Sequence, residues 1–299
     1  MNFTEVLQEE FYTSSSWDSL AEVEIPDLAI PAYVDVVVCT YNSERYLERC
    51  LQSIRANVPV NELFVIDNFS TDDTVKIAKL YGAKVVQTRA SLAESRKLSF
   101  NLVTTPVFVN VDSDVVLCRN WYSKLMQSWG PEVGCVCGIT VDQHPLQRAY
   151  LTSMWKLRKA ESYDIAHLPN MIARKEVLCD IDFPGYIKLG SVANEDYTIK
   201  EWIKAKGYSV VNVPVFVKHF TYPPLLGRKT FWYGASGRVS KYVSFKSILL
   251  RCVFSFPQAL FAGLVSGNAR VIPYWIRFRF EVLYGFLNYS KYFKMERKA

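Results

Sequence analysis

Residues 108–117, FVNVDSDVVL, set two carboxylates, Asp112 and Asp114, one residue apart where an apolar run ends. Carboxylates are strongly solvated and are rarely buried without a partner, so their place beside core-forming residues needs a reason. In a straight strand the two side chains would point to opposite faces, whereas a turn lets both reach one ligand. With no His or Cys within this segment, the pair suits a hard divalent cation, which takes oxygen ligands and keeps positions for substrate phosphates. Alone, the same triplet reads more simply as a solvated turn.

Its company changes that reading. Thr40-Tyr41-Asn42 lies at the end of the apolar, β-branched run VDVVVCT (34–40), and Asp67-Asn68 follows ELFVI (62–66). Each run has the character of a strand covered on both faces. Between them, Leu47, Cys50, Leu51 and Ile54 keep helical spacing behind Asn42-Ser43, which can cap a helix. Ser70 is expected to open a second helix, with Asp73 as a capping-box variant and Gly82 as its stop. KVVQT (84–88), a helix near 92–103 and PVFVNV (106–111) continue the alternation. The pattern predicts an α/β domain with a mostly parallel sheet and helices on both faces. Ligands of such sheets bind outside the carboxyl ends of the strands, where all three polar clusters would converge.

Four segments, VVVCTYNSERYLERCLQSI, LFVIDNFSTDDTVKIA, FVNVDSDVVL and NEDYTIKEWIKAKGYSVVNVPVFVKH, together resemble the successive signatures of family 2 glycosyltransferases with the GT-A, Rossmann-like fold. The likeness covers roughly residues 33–220. It implies an inverting enzyme that moves a sugar from a nucleotide diphosphate donor, usually with Mn²⁺ or Mg²⁺. On that resemblance Thr40, Tyr41, Asn42 and Glu44 line the nucleotide pocket, Asp67 contacts the base or ribose, and Arg96 lies near the nucleotide. Asp112, with Ser113, sits near ribose and metal; Asp114 binds the metal directly. Asp196 matches the general base, Glu195 its acidic neighbour, and His219 a further metal or diphosphate contact. The chain departs from the family pattern at Asn68, where a second Asp is commoner, and at Cys39, where Pro is frequent. The residue types suit the chemistry: a cation stabilises the departing diphosphate, and a carboxylate within reach takes the acceptor's proton.

Charge divides the chain unevenly. From Arg228 onward there are 13 Lys and Arg against two acids, while the first 227 residues hold 22 basic and 27 acidic ones. A basic tail on a mildly acidic body suggests a phosphate-bearing partner. Acids clustered at the strand ends would repel nucleic acid, so an anionic membrane surface is the expected partner of residues 228–299. Arg228, Lys229 or Arg238 could reach a diphosphate if this segment covers the site. ILLRCVFSFPQALFAGLV (248–265) is interrupted by Pro257, and VIPYWIRFRFEVLYGFLNYSKYF (271–293) mixes aromatic residues with cations, as interfacial helices do. Packing against the body or in a homodimer is the competing use.

The expected organisation is an extension over 1–30, a catalytic domain over 31–220 and an amphipathic helical tail over 221–299. Half the residues are hydrophobic, enough for a sizeable core, and the polar, acidic N-terminus is unlike a signal peptide. Seven cysteines without a repeated spacing suggest reduced thiols, hence a cytoplasmic location, peripheral or monotopic on the membrane. The expected acceptor is a hydroxyl of a lipid-linked or other glycan. A polyprenyl-phosphate sugar synthase, resembling dolichyl-phosphate mannose synthase, is the alternative, and a non-catalytic nucleotide-binding protein the more distant one.

Overall fold

The computed structural model describes residues 32–157, 166–185, 195–220, 227–240 and 243–290. The extension expected over 1–30, the first residues of the expected tail (221–226) and its last nine (291–299) lie outside the described residues.

Alternating burial builds the centre of the molecule. In β1 (Val34–Thr40), Val34, Val36 and Val38 face one apolar layer and Val37 the other; in β4 (Val107–Val111), Val107, Val109 and Val111 divide from Phe108 in the same way. This is the two-residue period of a strand covered on both sides. On the first side lies α1 (Glu44–Asn57), contributing the four apolar residues whose helical spacing predicts it. α3 (Leu92–Leu102) covers the second side with Ala93 and Phe100, joined by Ile199 and Ile203 of α7 (Glu195–Ala205). Between these come β2 (Val60–Asp67), α2 (Thr74–Leu80), β3 (Lys84–Gln87), β5 (Val115–Val116), α4 (Trp121–Met126), β6 (Val133–Asp142), α5 (Pro145–Leu157), β7 (Asn170–Arg174) and α6 (Lys175–Leu178). β8 (Ser209–His219) follows α7.

Among the described residues the strands form one sheet in the order β3-β2-β1-β4-β7-β6-β8-β5. β3, β2, β1 and β4 run parallel, as expected, and β6 is parallel to β8. The sheet is nevertheless mixed, because β7 lies antiparallel between β4 and β6, and β5 antiparallel to β8.

One helix start differs from expectation. α2 begins at Thr74, not Ser70, because the Ser70 hydroxyl donates to the buried Asp67 carboxylate at 2.5 Å and is lost as a cap. Asp72 accepts the Thr74 N–H instead, at 3.1 Å.

The tail is a helical layer. It comprises α8 (Arg228–Val239), α9 (Phe245–Val253), α10 (Ser255–Ser266) and α11 (Val271–Leu287). The break falls at Phe254 rather than at Pro257, which sits in the first turn of α10 where its missing N–H costs no intrahelical bond. A separate apolar core joins Tyr150 of α5 to Ala259, Ala262, Val271 and Trp275, with Tyr150 stacked on Trp275. No single helix among the described residues is long and apolar enough to cross a membrane; α9 and α10 pass that test only together, bent by 44°.

Candidate active site

Parallel pairing brings the polar clusters together. Thr40 sits beside Asp67 in the β1–β2 ladder and Asp67 beside Gln87 in β2–β3, so the strand ends share one edge. Asp67 is completely enclosed, and its carboxylate accepts from the Thr40 hydroxyl (3.1 Å), the Ser70 hydroxyl, the Ser70 N–H (3.0 Å) and the Gln87 amide (2.9 Å). Burial would raise its pKa, but these hydrogen bonds, Ser70's foremost, hold it below the ordinary value. Four donors fill the acceptor capacity of a carboxylate. These bonds tie Asp67, expected to contact base or ribose, into the loop that it shapes. Asn42, with φ +47°, clasps the same loop by accepting the Thr71 N–H at 2.9 Å, and Glu44 accepts the Asp73 N–H at 3.0 Å. Tyr41 and the Asn42 side chain remain exposed at the rim, while the Ser43 and Ser113 hydroxyls meet at 3.0 Å.

Behind this rim lies a buried cation. Arg96, on α3, places Nη2 2.9 Å from Asp112 Oδ1 and Nη1 3.6 Å from Glu195 Oε1. Burial opposes its charge, yet Asp112 and Glu195 outweigh that and raise its pKa. Asp112, expected in the metal set, is the partner of Arg96 through its Oδ1 oxygen. Arg96 itself, expected near the nucleotide, ties the end of β4 to the head of α7. Next to Glu195 in sequence, Asp196 is half-buried, with its pKa pushed up to about 7. Burial is the main cause; Arg96 opposes it, and the charges of Glu195 and Asp112 add to it.

Asp114 meets His219. β5 starts directly after the Asp-Ser-Asp turn and pairs Val115 with His219, which the β6–β8 ladder also sets beside Asp142. Asp114 Oδ1 lies 3.4 Å from His219 Nε2, and Asp142 Oδ2 lies 4.0 Å from Nδ1. A carboxylate behind the second nitrogen of an imidazole is the usual support of a metal-binding His. Among the described residues no three His, Cys, Asp or Glu side chains converge on a cation position. One carboxylate and one imidazole fit an ion that draws its remaining ligands from diphosphate and water.

The tail contributes to the same edge. Burial is the largest influence on Asp114 and raises its pKa, but the His219 hydrogen bond and charge, with the nearby Lys229 of α8, together hold it below the ordinary value. Tyr233, one turn further along α8, has its pKa pushed up to about 12 by burial and by Asp196, Glu195, Asp114 and Asp112. Sequence reading missed Tyr233; its spacing of four from Lys229 was the available signal. Arg238 points elsewhere, its guanidinium 5.1 Å from the Phe286 ring centre. The Arg228 side chain lies outside the described residues.

A mixed sheet with acids gathered at its strand ends, and a basic helix beside them, is a GT-A-like arrangement. The sequence model for glycosyl transferase family 2 matches residues 35–170, from β1 to the start of β7. An uncharacterized glycosyltransferase of Mycobacterium tuberculosis is 28% identical over 158 residues, covering 50% of this chain and 70% of that protein. An uncharacterized glycosyltransferase of Rickettsia typhi is 33% identical over 93 residues, 31% of either chain. In architecture the chain is similar to a mannosyltransferase from Pyrobaculum calidifontis, solved with GDP-mannose and Mn²⁺. Their TM-score is 0.60 over 86% of each chain, at 17% identity.

Proposed function

We propose that this chain transfers a sugar from a nucleoside diphosphate donor to an acceptor hydroxyl, with inversion at the anomeric carbon. The observation that carries the reading is Asp196: a carboxylate poised near neutrality, on the edge that also holds Asp114 and His219. A base is most effective when its pKa lies near the working pH. As the acceptor oxygen bonds to the anomeric carbon, its proton passes to the Asp196 carboxylate, and the bond from that carbon to the donor's β-phosphate oxygen breaks. Attack and departure on opposite faces invert the centre.

Asp114 and His219 are the residues that would hold Mn²⁺ or Mg²⁺, which when bound supplies a Lewis acid for the leaving diphosphate. Lys229 adds positive charge on the same side of the site. Arg96 positions Asp112 and Glu195. Tyr41, Asn42 and Ser113 stand at the rim, where the nucleoside would lie, with Thr40 buried beside them. A mannosyltransferase of similar fold was solved with GDP-mannose and Mn²⁺, which supports the donor and metal class. The acceptor we favour is lipid-linked, since a base near pKa 7 suits a hydroxyl and the tail leaves apolar side chains on its surface.

The test is a panel of nucleotide sugars incubated with the full chain and Mn²⁺, scored for nucleoside diphosphate release with and without lipid-linked glycan acceptors. Release that needs Asp196 and is stimulated by a hydroxyl acceptor supports the reading. Release stimulated only by a polyprenyl phosphate, and untouched by Asp196→Asn, rejects it.

A further inference from the structure

The helices α9 and α10 are amphipathic in an unusual sense. Their buried positions are mostly small, with Ser255, Ala259, Ala262 and Gly263 facing inward in α10. Their large side chains face out: Leu249, Leu250 and Val253 on α9, Phe254 at the break, and Phe256, Leu260 and Leu264 on α10, with Leu264 83% exposed. A contiguous apolar surface of this kind marks a contact with something other than water.

Within that surface is a basic cavity of about 560 Å³, bordered by Lys246, Ser247, Leu250, Arg251, Phe254 and Arg279. None of its lining residues is acidic. Among the described residues no carboxylate pairs with any of its three cations, although Arg277 nearby on α11 has Glu281 at 2.7 Å. Arg279 stacks on Trp275, 4.5 Å from the ring centre, and its Nε is buried without a hydrogen-bond partner. Burial lowers the pKa of Arg279; the Tyr150 oxygen, which accepts a hydrogen bond from the guanidinium, opposes this, and the Arg251 charge adds to it. An anion between the cations would relieve that repulsion. Leu250 and Phe254 belong both to the cavity and to the apolar surface, so an anion bound here carries its attached groups onto exposed leucine and phenylalanine.

We propose that this cavity binds the phosphate of a membrane lipid, while the surrounding apolar side chains lie in the interfacial layer of the bilayer. This phosphate site is separate from the donor site and does not rest on the transfer reading. Each Lys or Arg near an anionic leaflet strengthens binding roughly fivefold, so removing two costs about 10–30-fold.

The test uses flotation of the full chain with vesicles of phosphatidylcholine, with or without phosphatidic acid, at constant ionic strength. Wild type is expected to float with the anionic vesicles and much less with the neutral ones. Lys246→Gln/Arg251→Gln, both exposed positions, should lose that increment by about 10–30-fold while keeping helical content and nucleotide affinity. Arg270→Gln/Arg277→Gln removes the same charge from the same tail outside the cavity and should lose much less. Leu250→Asn/Phe254→Ser should abolish the salt-resistant part of the binding. Equal losses in the two charge variants would mean diffuse attraction and overturn the site. So would an absence of flotation with every vesicle. Titration with inorganic phosphate separates the sources: saturable binding that needs Lys246 and Arg251, in a protein that ignores vesicles, would make this a free-phosphate site and overturn the lipid proposal.

Discussion

Arg96 and Asp112, sixteen residues apart, form an ion pair 2.9 Å long inside the protein, and the other arm of the same guanidinium reaches Glu195 at 3.6 Å. One side chain thus joins a strand end in the first half of the chain to a helix start in the second. Removing one partner of a buried pair leaves uncompensated charge and costs about 3–5 kcal/mol. Arg96→Gln should lower Tm markedly by calorimetry. Because Arg96 also lowers the pKa of Asp196, any activity that survives should need a higher pH than wild type. An unchanged pH profile would mean that the two groups are not coupled.

The pH profile of the intact enzyme follows from Asp196 itself. A base works only when ionised, and with its pKa pushed up to about 7 Asp196 is protonated at lower pH. kcat/KM should therefore fall about tenfold per pH unit below 7 and level off above it. Asp196→Asn should reduce turnover by roughly 10²–10⁴-fold, leave donor affinity intact and flatten the acid limb. Steady-state rates across pH, with nucleotide binding measured in parallel, check all three.

Much of this was legible in the sequence, and the exceptions have physical causes. The strands β1, β2 and β4 and the helix α1 declare themselves by period, since each must bury apolar residues against the sheet. Asp112, Asp114 and His219 are placed by strand ends. At Asp67 the motif shows a carboxylate but not the four donors around it. The motif around Arg96 does not show its partner from α7, about a hundred residues on. β7 inserts antiparallel between β4 and β6, which no local pattern specifies. The tail's basic charge was plain, and Lys229 was among its candidates, but not that α8 would also present Tyr233 to the acids.

Asp114 and His219 make a separable prediction. If they hold the cation, nucleoside diphosphate affinity should rise with Mn²⁺ in wild type and be indifferent to Mn²⁺ in Asp114→Ala. Titration calorimetry with and without chelator measures this directly. Asp142→Asn should weaken the Mn²⁺ effect by about 10–100-fold, because the carboxylate behind His219 orients its ring. Full metal dependence in Asp114→Ala would remove Asp114 from the ligand set.

Two cations of α8 should behave differently. Lys229 is close enough to affect Asp114, whereas Arg238 stacks on Phe286. A single charge–phosphate contact is worth about 1.5–3 kcal/mol, so Lys229→Gln should weaken diphosphate binding by roughly 10–100-fold. Arg238→Gln should leave that affinity unchanged and lower Tm only modestly. Equal effects on nucleotide binding would mean that α8 contributes general charge rather than a placed lysine.

The last prediction concerns how α8 is held over the site. Gly234 of α8 faces the backbone of α11 near Val282, and Gly285 of α11 faces the backbone of α8 at Phe231. A methyl group at either position would overlap a carbonyl oxygen of the other helix, and backbone cannot swing aside as a long side chain can. Ala normally stabilises a helix relative to Gly by about 1 kcal/mol, so in an isolated helix both substitutions would help. Here overpacking should win, costing about 1–3 kcal/mol and forcing the helices apart. Gly285→Ala lies on a helix that contributes none of the candidate catalytic residues, yet it should loosen Lys229 and Tyr233 through α8. The expected result is a lower Tm, faster proteolytic cleavage within the tail and a reduced kcat with the metal response preserved. Gly267→Ala is the control: its φ of +63° makes it strained as well, but nothing packs against its missing Cβ. It should therefore cost stability without changing kcat. Equal kcat in the Gly285 and Gly267 variants would show that the close contact between α8 and α11 has no bearing on the site.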